Sequence, residues 1–490
     1  MRAAEGDAAD LAALVWRGRT VRLVVHTLGL ALATVALATL VAAPLAWLAA
    51  RAEATPWPAG FRRAATLAGV LPLAVPGYVM AYALLGAAGP RGLIASATGV
   101  DLPRPAGFWG ALVVLALATF PYLFLNLRAA LAGLDPAPED AARSLGLGPW
   151  AVAWRVVVPQ LRPAWLAGAL LVALHALGDF GVVSLVRFET FSQAIYVQYA
   201  ASYDRTYAAA LALMLLSLTL GVLWAEARLL GAARFERSVA SRPAERVRVP
   251  SVPAVLFVAV VAGVAVGLPL ATLAFWLGRA PVDAARVGAA LLNSVSAAAP
   301  AALVAVALAV PIAVVGVRRP GGISRAASRA VERVAYLGYA TPPLALALAF
   351  VVLAVRAVPW AYQTLGLLVA AYGVHFLAEA LGPVRSALLQ APAVAEWAAR
   401  SLGRSPARAF LAVTLPQLRG GLAAGGAFVF LSALKELPIT LLLSPLGFTS
   451  LATGLWGAAG EGLYAAAAPY ALALVGVAAL LVALVLRRDG

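Results

Sequence analysis

Three ionisable residues lie inside long apolar runs, where charge is costly: Asp179, Lys435 and Glu436. A charge in the core of a bilayer is expensive enough that it faces a bundle interior or a water-filled path. Asp179 is followed by Phe180-Gly181, and Lys435-Glu436 by Leu437-Pro438; glycine and proline both perturb helices. Two roles therefore stay open for these groups: lining a route across the membrane, or capping a helix break and pairing with one another. Carboxylate oxygen suits a hard metal cation, but two carboxylates do not make a site, and no bound metal is expected. The rest of the chain is poor in reactive groups. With no cysteine, disulfides, iron–sulfur clusters and thiolate zinc sites are excluded. His26, His175 and His375 are scattered and read as packing or interfacial residues. Lys435 is the sole lysine and no serine or threonine follows it. The Gly-Lys-Ser/Thr phosphate loop of an ATPase is therefore missing, and any ATP used must be bound by another subunit. No His-Glu-x-x-His pattern occurs and no serine or acid pair has catalytic spacing. Neither a catalytic residue nor a cofactor is expected.

The elements that position these residues follow from composition. The chain is 63% hydrophobic and only 12% charged, far too little charge to solvate a soluble protein of 490 residues. It is an all-α polytopic membrane protein. Apolar runs long enough to cross a bilayer lie near 22–50, 66–88, 107–128, 164–186, 206–226, 252–277, 289–316, 335–355, 364–384, 422–443 and 466–486, giving about eleven spans. The net charge of +16 does not point to nucleic acid. Arginines cluster in short segments between apolar runs (51–63, 228–248, 318–333, 487–488), the positive-inside pattern, and no basic stretch carries interleaved aromatics in a polar context. That rule puts these segments and the C-terminus in the cytoplasm and, with an odd number of spans, Met1 on the other side. Residues 1–20 carry no signal-peptide pattern. The expected organisation is a first module at 1–230 with about five helices, an arginine-rich cytoplasmic linker at 231–250, and a second module at 251–490 with about six.

A polar segment occurs twice. Glu139-Asp-Ala-Ala-Arg-Ser-Leu-Gly146 runs on to Pro159-Gln160-Leu161-Arg162, and Glu396-Trp-Ala-Ala-Arg-Ser-Leu-Gly403 runs on to Pro416-Gln417-Leu418-Arg419. The offset, 396 minus 139, is 257, and it holds at the prolines, at Arg128/Arg385 and at Gly168/Gly425. Two such islands in an apolar chain imply two copies of one membrane module. Upstream, the stretch before His26 resembles that before Asn293, and Pro44 matches Pro311. Within the first island Asp135 is an expected N-cap and Pro136 opens a helix, with Glu139 and Asp140 favourably placed in its first turn. Ala141, Ala142 and Leu145 are expected to form a small smooth face. Gly146 and Gly148 end the helix, and Pro149 starts another. Such a rigid elbow is a docking element, too poor in nucleophiles and bases to be catalytic.

These islands resemble the EAA loop of binding-protein-dependent ABC importer permeases: acid-Ala-Ala, three residues, Gly, and a later aliphatic-Pro. The match is Asp140-Ala141-Ala142 with Gly146 and Val158-Pro159, then Trp397-Ala398-Ala399 with Gly403 and Leu415-Pro416. The second copy departs at its first position, where Trp397 replaces the acid and Glu396 stands just before it. The resemblance implies a type I importer permease fold in the bacterial inner membrane. Each loop would dock one of two ABC ATPase subunits, and a substrate-binding protein would deliver the cargo. Gly178-Asp179-Phe180-Gly181 corresponds at the same offset to Lys435-Glu436-Leu437-Pro438, and the pair resembles one found in fused ferric-iron permeases. Fused thiamine permeases share the architecture. A self-sufficient secondary transporter would need more intramembrane charge than is present and would leave the loops unexplained.

Overall fold

The computed structural model describes residues 17–53, 58–201, 205–230, 247–248, 251–279, 281–318 and 337–488. Inside a bilayer no water satisfies a peptide group, so each apolar run closes its own hydrogen bonds as helix. Among the described residues, seven helices are long and apolar enough to span alone. Three bent pairs pass the same test together: Gly60–Ala74 with Gly77–Ala87, Leu365–His375 with Leu377–Gln390, and Pro406–Gln417 with Arg419–Leu434, bent by 100°, 52° and 70°. With the shorter helix Pro343–Ala357, every expected apolar run is matched by one helix or one bent pair.

The runs expected at 164–186 and 422–443 end early. Their helices stop at Gly178 and Leu434, and short helices Gly181–Leu185 and Pro438–Leu443 restart after the acids. The expected run at 66–88 is sharply broken at Val75–Pro76, between helices Gly60–Ala74 and Gly77–Ala87. A helix is disfavoured before proline, which makes Pro76 the breaker.

The chain forms two compact units. One comprises residues 1–280 with 462–465, the other 281–461 with 466–490. In the first, helix Gly18–Arg51 packs along Gly107–Gly133, which packs on Val158–Gly178. In the second, Ala284–Arg318 packs in the same way on Leu377–Gln390 and Arg419–Leu434. The crossings are tight at matched glycines. A Cβ on Gly168 would stand 2.9 Å from the Leu123 Cα, and one on Gly425 would stand 3.1 Å from the Ala380 Cα. Only glycine lets these backbones approach so closely.

A second matched lock sits in the N-terminal part of the first helix of each unit. His26 Nδ1 donates to the Glu189 carbonyl (3.0 Å), and the Thr27 hydroxyl accepts from the Phe191 N–H (3.1 Å). In the second unit Asn293 Nδ2 donates to the Thr449 carbonyl (3.0 Å), and the Ser294 hydroxyl accepts from the Leu451 N–H (2.9 Å). The resemblance of the stretches at His26 and Asn293 thus reflects one clasp built from different side chains.

The repeat would start the second module at 251, whereas the helical run at 251–277 packs within the first unit, against Pro58–Val70 and Gly77–Ala87. There Trp276 Nε1 donates to the Gly86 carbonyl at 2.9 Å. Duplication and spatial packing divide the chain at different points. The expected linker at 231–250 lies outside the described residues except Val247–Arg248, which pair in parallel with Ala52–Glu53.

Candidate functional site

The two islands fold into the same elbow. Helix Ala137–Ser144 is followed by Pro149–Val152, and Ala393–Ser401 by Pro406–Ala409. Each second helix opens on proline, whose missing N–H is harmless there. Each first helix ends in a Schellman turn. Gly146 N–H bonds the Arg143 carbonyl and Leu147 N–H the Ala142 carbonyl, at 2.9 and 3.1 Å. Gly403 and Arg404 repeat this on Arg400 and Ala399, at 3.0 and 3.2 Å. The turn needs a left-handed residue, and Gly146 and Gly403 have φ of 84° and 85°. After each elbow the chain makes one π turn, Ala153–Val157 or Phe410–Thr414, and enters its span at Val158-Pro159 or Leu415-Pro416.

Two details correct the expected elbow. The helix is capped by Pro136 rather than Asp135, although the Asp135 carboxylate still accepts from the Ala137 N–H at 3.1 Å. The alanines also do not share one face. Ala142 and Ala399 are buried against their own chain, whereas Ala141, Ala398, Leu145 and Leu402 are exposed. The exposed surface of each elbow is therefore the first alanine, the leucine and, in the second copy, Trp397.

The elbows are held differently. Glu139 is buried and meets buried Arg51, the last residue of helix Gly18–Arg51, at 2.5 Å. Arg51 also donates to the Leu131 carbonyl at 3.4 Å, so it ties the elbow to two spans. Arg143 reaches Glu139 and Asp140, each at 3.4 Å. In the second unit the equivalent Arg318 donates instead to the Ala391 carbonyl (2.8 Å), and Glu396 accepts from the Thr414 hydroxyl (2.8 Å). Sequence reasoning missed this pair of anchors. The available signal was the register of Arg51 and Arg318, each seven residues after the matched Pro44 or Pro311.

The intramembrane acids stand at the two helix breaks. Asp179 Oδ1 accepts from the Val182 and Val183 N–H groups at 2.8 and 3.4 Å. Glu436 Oε1 accepts from the Ile439 N–H at 3.0 Å. Val182 and Ile439 are themselves 257 residues apart, so the two acids make the same cap. Lys435 ends helix Arg419–Leu434, at the position held by Gly178 in the first unit. A cap lost to alanine costs about 0.5–2 kcal/mol. Asp179→Ala with Glu436→Ala is expected to lower the melting temperature of the purified chain clearly, whereas Asp179→Asn with Glu436→Gln, which keeps an acceptor oxygen, lowers it little. Equal melting of the two double variants would refute the capping role.

The family model for the binding-protein-dependent transport system inner membrane component matches residues 11–235 and 320–488, one segment for each elbow. The chain belongs to this family. It is thus the membrane-spanning permease of an ABC importer, a multi-pass inner-membrane protein that works with ATPase and substrate-binding partners. ATP hydrolysis is carried by the ATPase partner. Among similar proteins, the Fe(3+)-transport system permease protein FbpB 2 of Haemophilus influenzae is 30% identical over 421 residues, 83% of this chain and 78% of that one. The molybdenum transport system permease protein ModB of Azotobacter vinelandii is 32% identical over 163 residues, 33% of this permease and 70% of that protein. Sulfate permease 2 of Chlamydomonas reinhardtii is 33% identical over 135 residues, 26% and 36% of the two chains.

Proposed function

We propose that this permease carries ferric iron, handed over by an external binding protein, and that its two elbows couple one copy of the chain to two ATPase subunits. The observation that carries the substrate is the extent of the likeness to the iron permease, 83% of the chain and so both modules. The molybdenum and sulfate permeases match a third of the chain or less. The stoichiometry rests on the repeated elbow, one docking surface in each half. In this scheme Glu139, Asp140, Ala141, Ala142, Gly146 and Pro159 form one coupling loop, and Glu396, Ala398, Ala399, Gly403 and Pro416 the other. Asp179, Glu436 and Lys435 stand beside the route, where the caps keep each break rigid.

The test is ATP-dependent uptake by cells that express the permease with its ATPase and binding protein and lack other routes for the solutes offered. Radiolabelled ferric iron is expected to accumulate, and molybdate and thiamine are not. Thiamine or molybdate uptake without iron uptake would overturn the substrate while leaving the importer assignment intact.

A further inference from the structure

Helix Pro58–Val70 carries Arg62 and Arg63, and Arg128 lies near the end of helix Gly107–Gly133. With Ala49, Thr66 and Leu67 these three arginines line one cavity of about 360 Å³, and among the described residues no carboxylate lines it. That volume falls within the roughly 300–1,000 Å³ of small-molecule sites. Among the described residues none of the three guanidinium groups makes an ion pair. Arg62 Nη1 is moreover buried with no hydrogen-bond partner. The Arg62 carbonyl accepts from the Thr66 hydroxyl at 2.8 Å, which ties the two lining residues together one helical turn apart.

Three like charges around one cavity repel one another, and a buried donor without an acceptor costs free energy. Both costs are relieved by an anion with several oxygens, for which guanidinium groups are well shaped. The level of the cavity narrows the choice. Ala49 is two residues before Arg51, which holds the first elbow through Glu139, so the arginines sit at the elbow end of the bundle, where a span leaves the hydrocarbon. Basic pockets between spans at that level bind anionic lipid headgroups. We propose that this cavity binds a phosphate-bearing anion, with Arg62, Arg63 and Arg128 as its contacts. Its cytoplasmic placement rests on the elbow reading above; anion binding does not.

The experiment uses the purified full-length permease in neutral detergent and three probes: dioctanoyl phosphatidylglycerol, dioctanoyl phosphatidylcholine and inorganic phosphate. Binding is followed by native mass spectrometry and by the rise in melting temperature. Phosphatidylglycerol is expected to bind saturably and phosphatidylcholine weakly, and the Arg62→Gln/Arg63→Gln/Arg128→Gln variant is expected to bind phosphatidylglycerol about tenfold more weakly or worse. Inorganic phosphate matching the lipid would make the free anion the occupant; binding of the lipid alone would make it the headgroup. If the triple variant does not fold, Arg128→Gln alone decides, with a loss of affinity expected. Undiminished phosphatidylglycerol binding in the variant, equal binding of phosphatidylcholine, or no saturable binding of either anion overturns the proposal. Failure of the elbow reading would appear elsewhere, as ATPase binding that survives substitution of Gly146 and Gly403, and would leave this result untouched.

Discussion

Glu139→Ala is expected to destabilise the permease far more than Glu396→Ala, although the two residues occupy the same place in the repeat. Glu139 and Arg51 are both buried and in contact at 2.5 Å. Removing the acid strands a buried guanidinium, and breaking such a pair costs about 3–5 kcal/mol. Half-exposed Arg143 bonds the acid and offers nothing to Arg51. Glu396 by contrast loses one bond from the Thr414 hydroxyl, about 1–3 kcal/mol. The measurement is the yield of monodisperse protein and its thermal unfolding in detergent. Removing both charges together, Arg51→Met with Glu139→Leu, should recover most of the lost stability, because a buried pair is often no better than an apolar replacement. Equal melting of the Glu139→Ala and Glu396→Ala variants would show that the pair contributes nothing special.

The second large effect is expected at the elbow turns. Gly146 and Gly403 are held at φ of 84° and 85°, and a Cβ on either would meet no atom of this chain. The strain of a left-handed L-residue is therefore the whole intramolecular cost, about 1–2 kcal/mol, and the spans should insert normally. A tryptophan there projects from the exposed elbow, which in the proposed scheme is the ATPase-docking surface. Gly146→Trp with Gly403→Trp is thus expected to abolish co-purification of the ATPase and ATP-driven uptake, while the amount of permease in the membrane changes little. Normal uptake by the double variant would refute the coupling role. Gly146→Ala and Gly403→Ala separate strain from bulk: each should retain substantial uptake.

What was legible in the sequence was what repeats locally. The 257-residue register marked both elbows and their glycine stops, together with the glycines of the tight crossings, because a Schellman turn and a close crossing each demand glycine at a fixed place. The acids at the breaks were legible as residues, and their alternatives stayed open because a cap and a pathway group have the same residue types. The sharp break at Pro76 was hidden within an unbroken hydrophobic run, where hydropathy reports burial in lipid but not direction. The Arg51–Glu139 pair was hidden for a different reason. Its partners lie 88 residues apart, and nothing in a charge cluster at the end of a span says which acid it will meet. The packing of the 251–277 run in the first unit was equally invisible, since an apolar run does not say which neighbours will cover it.

The unequal anchoring of the elbows bears on how such a chain can change over generations. Were the two halves separate copies of one gene product, every substitution would fall on both sides at once, and a charged anchor could not exist on one side alone. Joined in a single polypeptide, each half is free to drift. One has kept Asp140 where the other carries Trp397, and one is anchored by a buried charge pair where the other uses neutral contacts. Fusion thereby allows the two elbows to be built from different chemistry, and selection can alter one without disturbing its twin.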